Sequence, residues 1–464
     1  PLVLEAGSAR AGLGFTARVR GVTLFKRRPA LHRRTDLVPS SDASAVLYEA
    51  LAPGGLSNHW SCAVPRFSPD DFADARRAGE AYTWPVDYAE IAPWYDQVER
   101  LLRVAGSDLD VPRLPAGSVH SSTRLASDWE SVKRSAEYSG RDVLPMPYAY
   151  GASTTVTRAA SAFNAFRRLV KPAEAMGSLR VRYDSQAVRM EWSPGDGRVV
   201  AVICRNLSGA ETRVPCRAVV VAAGAVGTAQ LLLESSSAAW PQGLGNERGL
   251  VGRYLHDHPL AKLVVRLGRP LSVSPASYVT RPPLDGSEPL YAAAFMQWGD
   301  VRTRAKALFS TEPGKSSTIG FSVFGTMIPT LDDGISLCSE HAVEHRSRIA
   351  YALAYPDRAL RVLSEARDEL LTILDRAGCQ PRVEVFRVEP PGSSVHYGGT
   401  CRMHASPQYG VVDSDCRVFG ARNVAIADSA VFTTGPEKNP VLTAMALAAR
   451  ASNALPRDLR VSAV

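Results

Sequence analysis

The chain has 464 residues, too many for one simple hydrophobic core, and this length predicts two domains that interleave along the chain. With 45% hydrophobic residues, 22% charged residues and a formal charge of +8, the composition is that of a soluble globular enzyme. No apolar run reaches about eighteen residues, so no membrane span is predicted.

The charge and cysteine patterns argue against several classes of protein. Basic residues are scattered except at 26–28 and 32–34, which we interpret as a solvated loop rather than a nucleic-acid or anion site. The seven cysteines follow neither a metal signature nor a disulfide framework. Cys204 and Cys216 flank a predicted hairpin and could pair, but reduced thiols in a cytoplasmic protein are the expectation.

The first predicted element is a short strand of valine and leucine that ends in Glu5. In a dinucleotide-binding unit, an acidic residue at the end of the second strand accepts hydrogen bonds from the adenosine ribose, and Glu5 occupies such a position. The first strand, the glycine-rich turn and the first helix of that unit are absent. We therefore expect that about 20 to 30 residues precede Pro1 in the natural protein.

A second informative block runs from Tyr48 to Phe67. Its glycine pair permits unusual backbone angles and a close approach to a planar ring, and an imidazole and an indole follow directly. The block is therefore predicted to face a ligand. Its candidate binding residues are Gly54, Gly55, Asn58, His59 and Trp60.

Helix and strand periods alternate in the next part of the chain. Apolar residues recur at three- and four-residue spacing from Ile91 to Leu102, which predicts a helix packed in the core. Residues 158–168 are predicted to form another helix. After Leu179 the period changes to two, and strands at 199–204 and 213–217 are predicted to form a hairpin.

An apolar strand at 218–222 then runs into a turn at Ala223 and Gly224. An uninterrupted apolar strand is typical of a parallel sheet that is covered on both faces, and any α/β protein could have such a turn after it. Upstream, Ala187 and Val188 lie in a predicted strand whose pattern an ordinary strand pair would also have.

Residues 256–258 read His-Asp-His, but no companion cluster follows, so we predict a structural segment and no metal site. From 260 to 390, strand-like pieces alternate with one long amphipathic helix near 358–377. This pattern predicts an antiparallel sheet with helices on one side. Asp332 and Asp333 could meet an amine-bearing substrate, and an exposed turn is the alternative that we favour.

The last seventy or so residues carry the strongest signal. His396 lies in a small-residue loop, an apolar strand leads to Asp428, and Asn439-Pro440 opens an alanine-rich helix predicted from Val441 to Ala451. This order resembles the C-terminal signature of the glucose-methanol-choline (GMC) flavin oxidoreductases. The block around His59 resembles the pyranose 2-oxidase-like branch of that family.

The resemblance implies an α/β fold. Its FAD-binding, doubly wound (Rossmann-like) domain would comprise 1–68, 150–262 and 394–464, without its N-terminal strand, turn and helix. An interleaved substrate-binding domain, an antiparallel sheet with helices, would comprise 69–149 and 263–393.

The resemblance also implies how FAD is held. His59 matches a histidine that is joined covalently to the flavin 8α-methyl carbon, although a non-covalent loop histidine remains open. Asp428 would contact the ribityl or diphosphate region, and Pro440, at the first helical position, would direct the helix start at flavin N1. The implied cofactor-binding residues are Glu5, Gly54, Gly55, Asn58, His59, Trp60, Ala187, Val188, Ala223, Gly224, Asp428, Pro440 and Val441.

His396 is the candidate catalytic base, because a neutral imidazole can take a hydroxyl proton at pH 7. Asn439 would position the same hydroxyl. His404 is expected to be exposed or to lie outside the first layer of contacts.

The expected function is FAD-dependent oxidation of an alcohol group on a sugar or sugar-containing molecule. Oxygen or another acceptor would reoxidise the flavin, and an oligomer is possible. A non-sugar alcohol such as a sterol, a redox-inert binding protein that kept the fold, and a lyase acting through His396 are the alternatives.

Overall fold

The computed structural model describes residues 1–9, 45–149, 163–272, 315–338 and 349–461, together with short strands between 16 and 39 and at 277–279 and 293–299. Most of the basic 26–34 segment and residues 158–162 of the helix predicted at 158–168 lie outside these residues. The α/β class expected from the sequence is confirmed. The described chain combines parallel strand pairs with antiparallel sheets and flanking helices.

The strands around the nucleotide-type elements follow the predicted pattern. Leu2–Leu4 pairs in parallel with Arg180–Arg182, and Val219–Val221 pairs in parallel with Ala421–Ile426, which also pairs with Arg417–Val418. The predicted hairpin is confirmed, and it belongs to a three-stranded antiparallel sheet. The strands of that sheet are Gln186–Ser193, Arg198–Arg205 and Glu211–Pro215.

The apolar strand Val219–Val221 is covered differently from the expectation. Val221 is 3% exposed, whereas Val220 is 51% exposed, so in the described part of the chain only one face of this strand is covered. The reason is the alternation of side chains along a strand, which sends neighbouring valines to opposite faces. The expected cover on both faces is therefore wrong for the residues described.

The predicted antiparallel sheet of the middle region is confirmed and has six strands. One face packs on the long helix Asp357–Arg376, and Phe321, Val323 and Leu363 are fully buried in the core between them. In spatial order the strands are Arg382–Val388, Leu260–Ser272, Lys315–Gly325, Ala293–Gly299, Ser277–Val279 and Val143–Pro145.

A five-stranded sheet joins the tail of the chain to its middle. The short tail strand Gly398–Thr400 pairs with Arg253–His256, which directly precedes the Asp257-His258 segment. This pairing brings the His396 loop next to that segment. The remaining strands of the sheet are Gly334–Leu337, Ile349–Ala352 and Leu37–Pro39.

Two helices pack together beneath the tail. The predicted core helix is Tyr88–Leu102, and its Asp87 and Glu90 form a reciprocal capping box. It packs on the C-terminal helix Val441–Val461, which is longer than predicted, and the hydroxyls of Tyr95 and Thr443 lie 2.7 Å apart. The division into domains stays a prediction. The other α-helices are Pro69–Ala73, Glu130–Tyr138, Lys171–Ala175 and Gly224–Glu234.

Shorter elements complete the described chain. In the described part of the chain the seven cysteines form no disulfide, and the cytoplasmic location inferred from their pattern stays a prediction. Among the described helices, none has the length and apolar character that a membrane crossing would need. The short strand pairs are Thr16–Val19 with Val22–Lys26, His32–Arg33 with Tyr48–Glu49, and Ala105–Gly106 with Ser121–Ser122. The 3-10 helices are Gly55–Asn58, Asp74–Ala78, Glu80–Tyr82, Ser127–Trp129 and Ser429–Val431, and Phe166–Val170 is a π-helix.

Candidate active site

The loop that carries His396 is shaped by a buried carboxylate. Asp257 is fully buried and accepts hydrogen bonds from the backbone N–H groups of Ser394, at 3.1 Å, and His396, at 2.7 Å. The Ser394 hydroxyl donates to the same carboxylate. Val395 between them has a φ of +60°, a left-handed conformation that is unusual for a branched residue. The carboxylate therefore fixes the backbone from which the imidazole projects.

The His396 ring meets groups from three distant segments. Its Nε2 lies 3.2 Å from the amide nitrogen of Asn439, so the structure brings together the two residues predicted to act on the substrate hydroxyl. Its Nδ1 lies 2.9 Å from Nδ1 of His258. The ring also packs against Phe324 at a centroid distance of 5.4 Å.

The surroundings keep this imidazole neutral. Burial and, after it, the charge of Lys262 lower the pKa of His396 to about 4. Lys262 lies on the same sheet face as Phe324, because it pairs in register with Ser322, two residues before Phe324 on the neighbouring strand. Its ammonium donates to the Ser322 hydroxyl at 2.8 Å. At pH 7 His396 is thus available to accept a proton.

Asn439 follows a buried network of charges. The Lys438 ammonium lies 2.7 Å from the Asp71 carboxylate and 2.6 Å from the Glu437 carboxylate. Arg113 adds a contact of 2.9 Å to Glu437. Burial alone would raise the pKa of Glu437, but the charges of Arg113 and Lys438 outweigh it and lower the pKa to about 2. This network anchors the backbone immediately before Asn439.

The C-terminal helix begins at Val441, as predicted, so Pro440 lies just before it and not at its first position. Pro440 precedes the helix, and its carbonyl accepts the first helical hydrogen bond from Ala444 at 3.0 Å. Pro440 is therefore the N-cap residue and not the first helical residue. The first backbone N–H groups of a helix lack intrahelical acceptors and form the positive end of the helix dipole. This end lies beside Asn439, where it would stabilise negative charge on a bound ligand.

The glycine-pair block forms a tight 3-10 turn. Gly54 and Gly55 have φ angles of +97° and +49°, which only glycine adopts freely. The buried Asn58 holds the turn, since its amide donates to the Gly55 carbonyl at 2.8 Å. Trp60 donates to the Phe163 carbonyl at 3.2 Å and packs edge-on against the Phe163 ring.

Both ends of the predicted cofactor site are tied to this block. Gly7 packs so closely on Ala52 that a Cβ on Gly7 would lie 2.6 Å from the Ala52 Cα, which places the Glu5 strand end beside the start of the glycine turn. Tyr48, just upstream of the turn, donates its N–H to the Tyr397 hydroxyl at 2.9 Å. Because Tyr397 adjoins His396, the head and tail regions lie next to each other.

The remaining predicted cofactor residues lie around the same strands. The carbonyl of Glu5 accepts from Ser185 N–H at 2.9 Å, which puts Glu5 beside the strand that contains Ala187 and the buried Val188. Burial raises the pKa of the Glu5 carboxyl. A backbone segment next to a strand-end carboxylate suits an adenosine moiety, but contact with a cofactor stays a prediction.

Asp428 holds the turn that contains Ala223 and Gly224. Its carboxylate accepts from Gly224 N–H at 2.9 Å, from the Thr228 hydroxyl at 2.6 Å and from Ala430 N–H at 2.8 Å. These three protein donors give Asp428 a structural role, and its contact with a cofactor stays a prediction. Gly224 has a φ of +76°, and a Cβ there would meet no described atom within 4 Å.

These observations fit FAD. Gly55 and Gly224 border open space, since a Cβ on either would have no described neighbour within 4 Å. The Glu5 strand end lies beside the start of the first turn through Gly7 and Ala52, Asp428 holds the second turn, and His396 meets Asn439 at the start of the C-terminal helix. The residues present therefore supply the small-residue surface, the ribose acceptor and the dipole that a flavin dinucleotide needs.

Two residues are more buried than an exposed position would allow. His404 is 2% exposed, with its Nε2 lying 3.1 Å from the Glu80 carbonyl oxygen, so the exposed alternative is wrong and a place outside the first layer of contacts stays the prediction. Asp333 is also buried, because its carboxylate accepts the Thr330 and Ala354 N–H groups. His258, which belongs to the segment predicted to be structural, contacts His396 directly. In the part of the chain that is described, no cluster of ligands could hold a metal ion.

Sequence reasoning missed several residues of this site. His258 and Asp257 carried a visible signal, two adjacent titratable residues before a proline, which was interpreted as structural. Lys262 and Phe324 carried none, because they read as ordinary strand positions. Asp71 and Arg113 carried none either, because Asp71 contacts Lys438 and Arg113 contacts Glu437, each more than 300 residues away along the chain.

A histidine and an asparagine that meet at a helix start, beside nucleotide-type strands and turns, define an FAD-dependent oxidoreductase. Two models of the GMC oxidoreductase family match residues 72–260 and 345–448. The chain belongs to the GMC oxidoreductase family, whose members act on CH–OH groups.

Named relatives agree with this placement. Paromamine 6'-oxidase of Streptomyces fradiae is 29% identical over 434 residues, which cover 88% of this chain and 77% of that protein. C-glycoside 3-oxidase of Arthrobacter globiformis is 28% identical over 464 residues, covering 94% and 80%. An FAD-dependent oxidoreductase from Chaetomium thermophilum shares the fold, with a TM-score of 0.66, 14% identity and coverage of 99% and 95%. None of these three is a pyranose 2-oxidase, so the closer resemblance to that branch stays a prediction.

Proposed function

We propose that this protein oxidises an alcohol group of a sugar or a sugar-containing molecule, with His396 as the base and Asn439 as the positioning residue. The observation that carries the proposal is the contact of 3.2 Å between His396 Nε2 and the Asn439 amide, in surroundings that keep the imidazole neutral. The sugar class is supported by the relatives named for oxidising paromamine and C-glycosides.

The two side chains can divide the work on one hydroxyl. The substrate O–H would take the place of the Asn439 amide as the donor to His396 Nε2, and the hydroxyl oxygen would accept from that amide. When the O–H bond breaks, the proton forms an N–H bond at Nε2 and the oxygen keeps the electron pair. Bound FAD would supply the acceptor for the hydride of the adjacent carbon.

The neighbours of His396 support this proton transfer. The Lys262 charge disfavours the imidazolium but favours negative charge on the substrate oxygen, so it assists the deprotonated alcohol. Phe324 covers one face of the imidazole and keeps water from it. Asn439 acts by placement, because an amide cannot take up the proton.

The proposed FAD contacts follow the order of the chain. Glu5 would accept from the ribose, and the Ala187–Val188 backbone would meet the adenine. The turn at Ala223–Gly224, held by Asp428, would border the diphosphate region, and the Gly54–Trp60 block with Asn58 would face the flavin ring. The start of the helix at Pro440 and Val441 would face flavin N1.

We further propose that His59 is joined covalently to the flavin. It directly follows the 3-10 turn, and its position in the block matches the linked histidine of the resembled branch. Acid precipitation tests this link, because a covalent flavin stays with the protein pellet. Yellow colour in the supernatant, or an unlinked His59 peptide by mass spectrometry, would exclude the bond.

The function is tested by the absorbance of the purified protein near roughly 450 nm and its bleaching on anaerobic addition of candidate alcohols. Free pyranoses, glycosides, aminoglycosides and a sterol form the panel. Bleaching by sugar-containing compounds alone supports the proposal. Bleaching by the sterol alone would contradict it and would favour a non-sugar alcohol as the substrate. Absence of bleaching by any alcohol would favour a binding protein or a lyase. Reoxidation of the bleached protein by air then distinguishes oxygen from another acceptor.

A further inference from the structure

The histidine next to Asp257 makes a contact that has chemical consequences. His258 is 1% exposed, and its Nδ1 lies 2.9 Å from His396 Nδ1. Both rings are neutral at pH 7, because burial lowers the pKa of His396 to about 4 and lowers that of His258 well below its usual value. Two neutral imidazoles that meet through their Nδ1 atoms share one proton, so one ring donates and the other accepts.

The contact on the other side of His396 decides which ring donates. With the Asn439 amide oriented as in the structure, its NH₂ group faces His396 Nε2 at 3.2 Å. An amide nitrogen only donates, so Nε2 must be the acceptor and carries no proton. The proton of neutral His396 is then on Nδ1, and it is donated to His258 Nδ1. His258 in turn carries its own proton on Nε2.

Two contacts fix the position of His258. The Tyr355 hydroxyl donates to the His258 carbonyl at 2.9 Å, and the His258 ring packs edge-on against Phe324, at 6.2 Å between centroids. The preceding residue, Asp257, accepts from the backbone N–H of His396. Asp257 therefore holds the backbone of His396, and His258 contacts its ring.

We propose that His258 is a positioning residue that accepts the Nδ1 proton of His396 and so, together with the Asn439 amide, holds His396 in the tautomer whose Nε2 lone pair can accept the substrate proton. The inference rests on the proposed role of His396 as the base. In the other tautomer, Nε2 carries a proton and cannot accept one, so the base would be inactive until the ring exchanged its proton. After proton uptake, the Nδ1–H bond to neutral His258 stabilises the imidazolium, because charged donors make stronger hydrogen bonds.

A direct test reads the tautomers in the oxidised holoenzyme. Long-range ¹H–¹⁵N correlation spectra of protein labelled with [¹⁵N]histidine distinguish the two neutral tautomers of each of the nine histidines. The His258→Asn variant assigns the His258 signals by their loss. We expect His396 to be protonated on Nδ1 and His258 on Nε2. A proton on Nε2 of His396 would overturn the inference, whatever substrate the enzyme uses.

A pair of variants tests the consequence for catalysis. His258→Asn keeps an acceptor bonded to Cγ, where Nδ1 was, whereas His258→Phe keeps a ring against Phe324 but offers no acceptor. We expect His258→Phe to slow flavin reduction by about 10- to 100-fold, the usual scale for losing the partner that orients a functional histidine. His258→Asn should restore most of the rate, with KM little changed in both.

The two variants also separate positioning from packing. If His258 only fills space, His258→Phe will be the milder change and His258→Asn the more damaging one, and this result would overturn the proposal. Absence of flavin reduction in the wild type would contradict the proposed function instead, and the tautomer spectra would still decide the role of His258.

Discussion

The charge network before Asn439 leads to a prediction whose size follows from the structure. Lys438 is fully buried between the carboxylates of Asp71 and Glu437, and Arg113 supplies the second cation. The four charges cancel formally. Lys438→Met keeps the length of the side chain but leaves two buried carboxylates with a single guanidinium.

The burial of Lys438 between two carboxylates sets the cost in stability of removing its charge. Breaking a buried ion pair by removing one partner costs about 3–5 kcal/mol, because the other charge stays buried without compensation. The charges of Arg113 and Lys438 outweigh the effect of burial and lower the pKa of Glu437 from 4.5 to about 2. A lowered pKa contributes stability above about pH 4.5 and loses it as the pH falls through about 2. Since Arg113 remains, we expect a loss of about 3 kcal/mol at pH 7.

Urea unfolding of the flavin-saturated protein measures this loss, and Lys171→Met is the matched control. Lys171 also pairs with a carboxylate, Glu174 at 3.1 Å, but its side chain is 50% exposed, so its loss should destabilise the protein much less than the loss of Lys438. We also expect slower flavin reduction in Lys438→Met alone, because Asn439 is the next residue. Equal stabilities for the two variants would refute the reasoning from burial.

Three further changes test the site. His396→Ala should slow flavin reduction by roughly 100-fold or more, the usual scale for loss of a general base, with flavin content retained; near-normal reduction would reject the assignment. Lys262→Met should raise the pKa of His396, because an ammonium disfavours the imidazolium, and should move the acid limb of the pH–rate profile to higher pH. Lys262→Arg keeps the charge and should leave the limb in place, so a common shift in both variants would contradict an electrostatic role. Gly224→Ala should lower the flavin content of the purified protein, because its Cβ enters open space in the predicted cofactor turn. Gly140→Ala, with a similar φ of +68° and equally open surroundings, imposes the same backbone strain of about 1–2 kcal/mol away from the site, and equal flavin loss in both would count against the cofactor turn.

Local sequence patterns were enough for most of the elements. The hairpin at 198–215, the helix Tyr88–Leu102 and the long helix Asp357–Arg376 follow from periods of two and of three to four residues, which neighbouring side chains specify without the rest of the chain. The order of motifs in the tail also singled out His396 and Asn439 as a pair, and the structure places them in contact.

The tertiary structure alone decided what surrounds that pair. His258 reaches His396 across 138 residues, and Lys262 and Phe324 share a sheet face with each other only through the register of two strands. A local pattern specifies which residues form a strand or a helix but not which strand lies beside it. The exposure of Val220 and the burial of Asp333 depend on the same long-range packing. The sequence by itself therefore singled out His396 and Asn439 as candidates for the base and its amide partner, while the pKa and the anchoring of these residues depend on contacts between segments that are far apart in the chain.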